Sequence, residues 1–322
     1  MGVFVFLPLV LPLTAWPVAR LAEQHLHPRT ATRLLTGVAA VMAVCSTVCL
    51  GLLMVVGTAQ LPGNPLPDGW SDPEVRAAVP HDEIAGRAAI PALCVVALLC
   101  ARTLWRHRRV RRRAHRALAG LPGTEVAVLP DGVPYAYALP GGRRDRIVVS
   151  TALLDCLEPA ERRALFAHER AHLAARHHRH LLAVQLAARA NPFLRPLRTA
   201  VAYTAERWAD EEAARTVGSR RTVARAIGRA ALVSRAAPHA ALASFAGLAF
   251  FTGLASFAAP GPVPRRVTAL LGPAPTVRRW PSVFTTVGLA VWCAAAGTAV
   301  SAMSSANSAV TMLVILHAAT PL

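Results

Sequence analysis

Charge is absent from several long stretches of this chain, and their lengths match membrane crossings. Residues 2–19, GVFVFLPLVLPLTAWPVA, carry none, and nothing between Leu34 and Pro67 is charged, the centre VMAVCSTVCLGLLMVV being strongly apolar. In a third run, from Ile84 to Trp105, only Ala88 to Ala101 is free of charge, so it crosses if Arg87 and Arg102 snorkel toward the two interfaces. The chain is uncharged again after Arg279. A helix needs about 20 apolar residues to cross a hydrocarbon core of about 30 Å. The pattern therefore predicts transmembrane helices over 1–20, 34–58, 85–105 and 282–303, an extracytoplasmic loop over 59–84, and a C-terminal tail over 304–322. The first run is read as a retained span: no basic residue precedes it, whereas Arg20, Arg29 and Arg33 follow it, the reverse of a signal peptide's order.

The pattern changes between the third and fourth spans. VAVLP, VPYAYALPGG and RIVVST are short alternating segments separated by Asp131-Gly132 and Gly141-Gly142, which predicts a small sheet between Glu125 and Thr151. Helical periodicity follows from Glu158 onward. A further charge-free run, Ala240 to Ala259, is expected as a helix or loop buried on this domain or dipping into the membrane. A crossing there would carry Arg265, Arg266, Arg278 and Arg279 outside. The fold class is thus mainly α with a small β-sheet: a polytopic membrane protein of about four transmembrane helices, with residues 106–281 forming one cytoplasmic domain.

Composition agrees. Hydrophobic residues make up 54% of the chain and charged residues 16%, with a mean hydropathy of +0.40, which excludes a disordered chain and argues against a soluble one. The net charge of +18 comes from 35 basic residues, all arginine, against 17 acidic ones. The loop after the second span carries Asp68, Asp72, Glu74, Asp82 and Glu83 against Arg76, whereas RHRRVRRRAHR follows the third directly. Cytoplasmic loops retain arginine, so the N-terminus is expected outside and the 106–281 domain inside. A basic run touching a span reads as a topology determinant that meets anionic lipid, and no direct nucleic-acid binding is expected. Arginine without lysine, together with abundant alanine, points to a bacterial cytoplasmic membrane. The six cysteines contain no C-x-x-C pair and read as buried reduced thiols.

Chemistry concentrates in two helical runs. Glu158-Pro159-Ala160-Glu161 opens a helix that is expected to continue through RRALFAHERAHLAARHH. His168 and His172 are one turn apart on it and stack on one face, with Glu169 beside them. H-E-x-x-H supplies two neutral nitrogen ligands for zinc and a carboxylate, Glu169, placed to take a proton from the attacking water. The competing reading is a solvated histidine-rich face. His177, His178 and His180 are read as surface or lipid-interface residues. In AYTAERWADEEAAR, Glu206 and Asp210 share a helix face, so Glu206 can be the third metal ligand while Asp210 hydrogen-bonds a ligand imidazole. Glu211 and Glu212 are the alternatives on other faces. Tyr203 is a candidate oxyanion donor by proximity in sequence alone.

His168-Glu169-Arg170-Ala171-His172, Asn191-Pro192-Phe193 and Glu206-x-x-x-Asp210, in that order, resemble the integral-membrane zinc metallopeptidases of the gluzincin type, including HtpX-like proteases and the BlaR/MecR antibiotic-sensor family. YAYALPGG extends the resemblance weakly. It implies a zincin-like metalloprotease domain, a Zn2+ cofactor, a protein or peptide substrate lying along an edge strand near Val133 to Leu139, and a cytosolic transcriptional repressor as one target. In the antibiotic sensors an extracellular penicillin-binding domain follows the fourth span. Here about 20 residues follow it, so direct β-lactam sensing is not expected. The rival expectation is a noncatalytic membrane receptor or scaffold with a structural zinc site, which would need a fourth ligand such as His177 or Glu211.

Overall fold

The computed structural model describes residues 2–77, 79, 81–141, 145–236, 263–275 and 284–320; the expectation for 240–259 lies outside them. The first charge-free run is not one regular helix. Pro8 and Pro12 have no N–H to continue a helical ladder, and the chain passes through 3-10 turns at Gly2–Phe6 and Leu11–Thr14 before α1 (Ala15–His25). Helix α2 (Pro28–Ala59) begins ahead of the expected span, with proline at a position whose N–H has no helical partner and the Arg29 amide donating to His27 Nδ1. Helix α3 (Asp82–Ala117) is continuous, so Arg106 to Arg116 form the last turns of the spanning helix and the expected boundary at 105/106 falls inside it. Helices α2 and α3 cross where Gly57 meets Gly86, and a Cβ on Gly57 would overlap the backbone of Gly86. Only glycine permits that approach.

The expected sheet is present. Strands β1 (Val126–Leu129), β2 (Ala136–Leu139) and β3 (Arg146–Ser150) lie in the order β1-β3-β2. β1 runs parallel to β3, with Val126 opposite Ile147, and β2 runs antiparallel, with Ala136 opposite Val149. β2 is therefore an edge strand. Helices α4 (Pro159–Ala174), α5 (His177–Ala190), α6 (Arg195–Val217), α7 (Arg220–Ala236) and α8 (Val263–Leu271) follow. Helix α9 (Thr286–Ala318) runs well past the expected end at 303, taking in most of the residues assigned to a tail. Among the described residues, four helical segments are long and apolar enough to cross a membrane: Phe4–His25, Pro28–Ala59, Asp82–Ala117 and Val287–Ala318. The chain is thus mainly helical with one small sheet, as its pattern predicts.

Three cores tie these parts together. Val149, Leu165, Ile227 and Leu270 join the sheet to α4, α7 and α8. Leu35, Ala39 and Met42 of α2 pack against Val184 of α5 and Leu197 and Val201 of α6, which seats the domain directly on a spanning helix. Ala114, Leu139 and Val148 fix the end of α3 to the sheet. The buried Asn191 side chain, at the turn between α5 and α6, donates to Ser46 Oγ on α2 at 3.1 Å, and Ser46 in turn donates to the Pro8 carbonyl at 2.7 Å. All six cysteines are unpaired, but Cys94 and Cys293 are exposed, contrary to expectation, because they lie on outward faces of α3 and α9.

Candidate metal centre

Helix α4 carries the two histidines on its buried face. Its Pro159 and Glu161 sit in the first turn, where the Glu161 carboxylate accepts the Glu158 amide proton at 3.1 Å. One turn apart, His168 and His172 bring their Nε2 atoms to 3.1 Å. Glu206, from α6, places one carboxylate oxygen 3.5 Å from His168 Nε2 and the other 3.5 Å from His172 Nε2. Ligand atoms of the three lie within 4.8 Å of one another. Both histidines are buried, whereas the Glu206 side chain keeps 18% of its surface exposed, which leaves the cluster an approach from solvent.

Asp210, completely buried, holds His168 Nδ1 at 3.1 Å and thereby aims Nε2 at the cluster. His177 does not lie at the surface. Helix α4 ends at Ala174, Arg176 turns the chain through a left-handed conformation at φ 53°, and α5 restarts at His177. Its buried ring approaches His172, Nδ1 to Nδ1 at 2.7 Å, on the side away from the cluster, and packs edge-on against Trp208. His178 and His180 remain part-exposed. Sequence reasoning also missed Arg266 on α8. Buried, it donates to both carboxylate oxygens of Asp210, at 2.6 and 2.9 Å, and its remaining nitrogen lies 2.9 Å from Glu206. Of the alternatives, Glu211 pairs with Arg207 and Arg220, and Glu212 with Arg215; neither joins the cluster. The Tyr203 ring lies under Arg265, 4.2 Å from its guanidinium carbon.

Electrostatics follow from this packing. Burial raises the Glu169 carboxyl to about 8, with His168 and Arg266 opposing and Glu206 adding to the shift. The Glu169 side chain is fully buried, and the Ala138 backbone opposes the shift slightly through a hydrogen bond. Burial opposes ionisation of Glu206 and Asp210 too, yet Arg266, followed by the histidines, holds both below the usual carboxylate range. For His168 burial is outweighed by Asp210 and Glu206, which raise it to about 9. Burial instead keeps His172 neutral, lowering it to about 3. Two buried acids around one imidazole form a pocket that attracts a cation. Two imidazole nitrogens and a carboxylate suit a transition-metal dication.

Residues 100–190 match the family model described as Peptidase family M48. That segment covers the end of α3, the sheet, all of α4 with His168, Glu169 and His172, and α5; Glu206 lies beyond it. No curated protein and no solved structure matches the chain. The family match and the His168, His172 and Glu206 cluster together support a metallopeptidase. A peptidase implies a protein substrate, and four helices of this length and hydropathy imply a lipid surrounding.

Proposed function

We propose that this chain is a membrane-embedded zinc metalloendopeptidase. The supporting observation is the convergence of His168 Nε2, His172 Nε2 and the Glu206 carboxylate next to the fully buried Glu169 carboxyl. His168, His172 and Glu206 would hold the ion. When bound, zinc supplies Lewis-acid polarisation of the scissile carbonyl and acidifies a water in the site. Glu169 would serve as the proton shuttle: its carboxylate accepts the proton of the attacking water and delivers it to the leaving amine nitrogen. Asp210 and His177 keep the two imidazoles aimed, and Arg266 holds the Glu206 and Asp210 carboxylates in place.

An extended peptide would add as a strand along the outer edge of β2, the strand whose Ala138 backbone hydrogen-bonds the Glu169 carboxyl. Because α5 and α6 pack directly on α2, the substrates are membrane proteins or cytosolic proteins recruited to the bilayer; the resemblance to the BlaR/MecR type adds a transcriptional repressor of a signalling pathway as one target. The arginine run on α3 and the acid-rich segment before it support a bacterial cytoplasmic membrane, with the domain inside and the N-terminus outside. The alternative of a noncatalytic receptor with structural zinc needs a fourth protein ligand. His177 meets the far nitrogen of His172, and Glu211 is committed to two arginines, which favours the enzyme. Purified protein in detergent should digest an unfolded polypeptide, and Glu169→Gln should keep its metal but lose activity by about 100-fold or more. Equal cleavage by the two would end this reading.

A further inference from the structure

Away from the metal cluster, a groove of about 1520 Å³ runs between the start of α2, the C-terminal end of α6 and the first half of α9. Its two ends differ chemically. At the domain end lie Arg29, Arg33, Arg215 and Arg220, with Glu211 the one carboxylate in the lining. Glu211 is spent on Arg207 and Arg220, at 2.9 and 2.8 Å, and Arg215 pairs with Glu212 at 3.0 Å. Arg29 and Arg33 have no carboxylate partner among the described residues. Each instead stacks on Trp208, 5.6 and 5.3 Å from its ring centre, which fixes the guanidinium plane and leaves its N–H edge for an acceptor. At the same mouth His27 sits below the usual imidazole range, chiefly through burial; Glu211 opposes this, and Arg215, Arg29 and Arg207 add to it.

The other end is apolar. Val38 and Val41 of α2 face Ala299 and Ala302 of α9. From Arg33 to Val41 a helix rises about 12 Å, within the roughly 15 Å that one leaflet contributes to the hydrocarbon core. Beyond the groove the exposed face of α2 continues through Val44 and Val48. Both long walls are helices whose backbone groups are already paired, so an extended peptide would leave its amides unsatisfied there. The occupant must be anionic at one end, apolar along its length, and aligned with the spanning helices.

We infer that this groove binds an anionic phospholipid from the leaflet on the domain's side. Its phosphate lies between Arg29 and Arg33, and an acyl chain runs between Val38 and Val41 on one wall and Ala299 and Ala302 on the other. This does not depend on peptidase activity. The full chain in neutral detergent, titrated with phosphatidylglycerol or phosphatidylcholine and read by native mass spectrometry, tests it. Phosphatidylglycerol should bind preferentially. Arg29→Gln with Arg33→Gln should weaken it about tenfold or more, given about 1 kcal/mol for each basic contact with an anionic lipid surface. Ala299→Trp, which keeps every arginine and fills the apolar end, should weaken it comparably. Arg163→Gln with Arg179→Gln, exposed on α4 and α5, should not. Glycerol 1-phosphate, a headgroup without chains, should fail to compete. Equal loss in the Arg163/Arg179 variant, unchanged binding in Ala299→Trp, competition by glycerol 1-phosphate, or a second copy of the chain in place of lipid would each overturn the inference.

Discussion

His172 and His177 lie 2.7 Å apart, Nδ1 to Nδ1, in a pocket closed by Trp208. If His172 gives Nε2 to a metal, its Nδ1 carries the proton and His177 accepts it. Burial holds His177 well below the usual imidazole range, which suits an acceptor. Partners of this kind fix ring orientation and ligand basicity, and their loss costs about 10–100-fold in metal affinity. His177→Phe, which fills the space against Trp208 but cannot accept, should weaken zinc binding by about that factor in a competition titration. His177→Asn, which retains an acceptor oxygen, should recover part of it. Unchanged affinity in His177→Phe would show the contact to be packing alone.

The candidate cluster is legible in the sequence and its supports only half so. His168 and His172, one turn apart, and Glu206 and Asp210, one turn apart on another helix, are local spacings that a helix converts directly into shared faces. His177 failed as a surface residue because it was placed on a continuous helix, where five residues at 100° each rotate it about 140° from His172. The left-handed turn at Arg176 brings it back beneath that ring, and a non-glycine residue at positive φ leaves little trace in a sequence. Arg266 was counted only as a topology charge. Its partner Asp210 lies on another helix, and no local rule connects them. The sheet, being built of short alternating strands, was read correctly. The long apolar helices are legible in the sequence, whereas α3 and α9 continue past the expected spans through polar or weakly apolar residues once a helix has formed.

Arg266 makes a second prediction. Its single positive charge is shared between the Asp210 and Glu206 carboxylates, and removing one partner of a buried ion pair costs about 3–5 kcal/mol. Metal-free Arg266→Leu should be destabilised by about that amount at neutral pH, measured by denaturant unfolding in detergent. The pH dependence follows in sign. In the parent, Asp210 is held below its unfolded value, so its contribution is present above the ordinary carboxylate range, near pH 4, and is lost as pH falls below it. In the variant, burial without the guanidinium raises the same carboxyl, which penalises the fold at neutral pH and less so in acid. The stability gap should therefore narrow on acidification. A gap that is constant or widens would mean that Arg266 acts through packing rather than charge.

The third prediction separates an open catalytic site from a closed structural one. Three ligands from two helices leave a coordination position free, whereas a structural zinc is closed by four protein ligands. Glu211, one residue beyond Asp210, is the nearest acidic alternative on α6, but its carboxylate is held by Arg207 and Arg220 at 2.9 and 2.8 Å. Elemental analysis of purified protein should give one metal per chain. His168→Ala and Glu206→Ala should each drop to about a tenth of that or less, because two remaining ligands do not complete a zinc site. Glu211→Gln, which preserves hydrogen bonds to both arginines, should retain the full content. Metal loss in Glu211→Gln to the level of Glu206→Ala would move the third ligand one turn along α6 and with it the geometry on which the role of Glu169 depends.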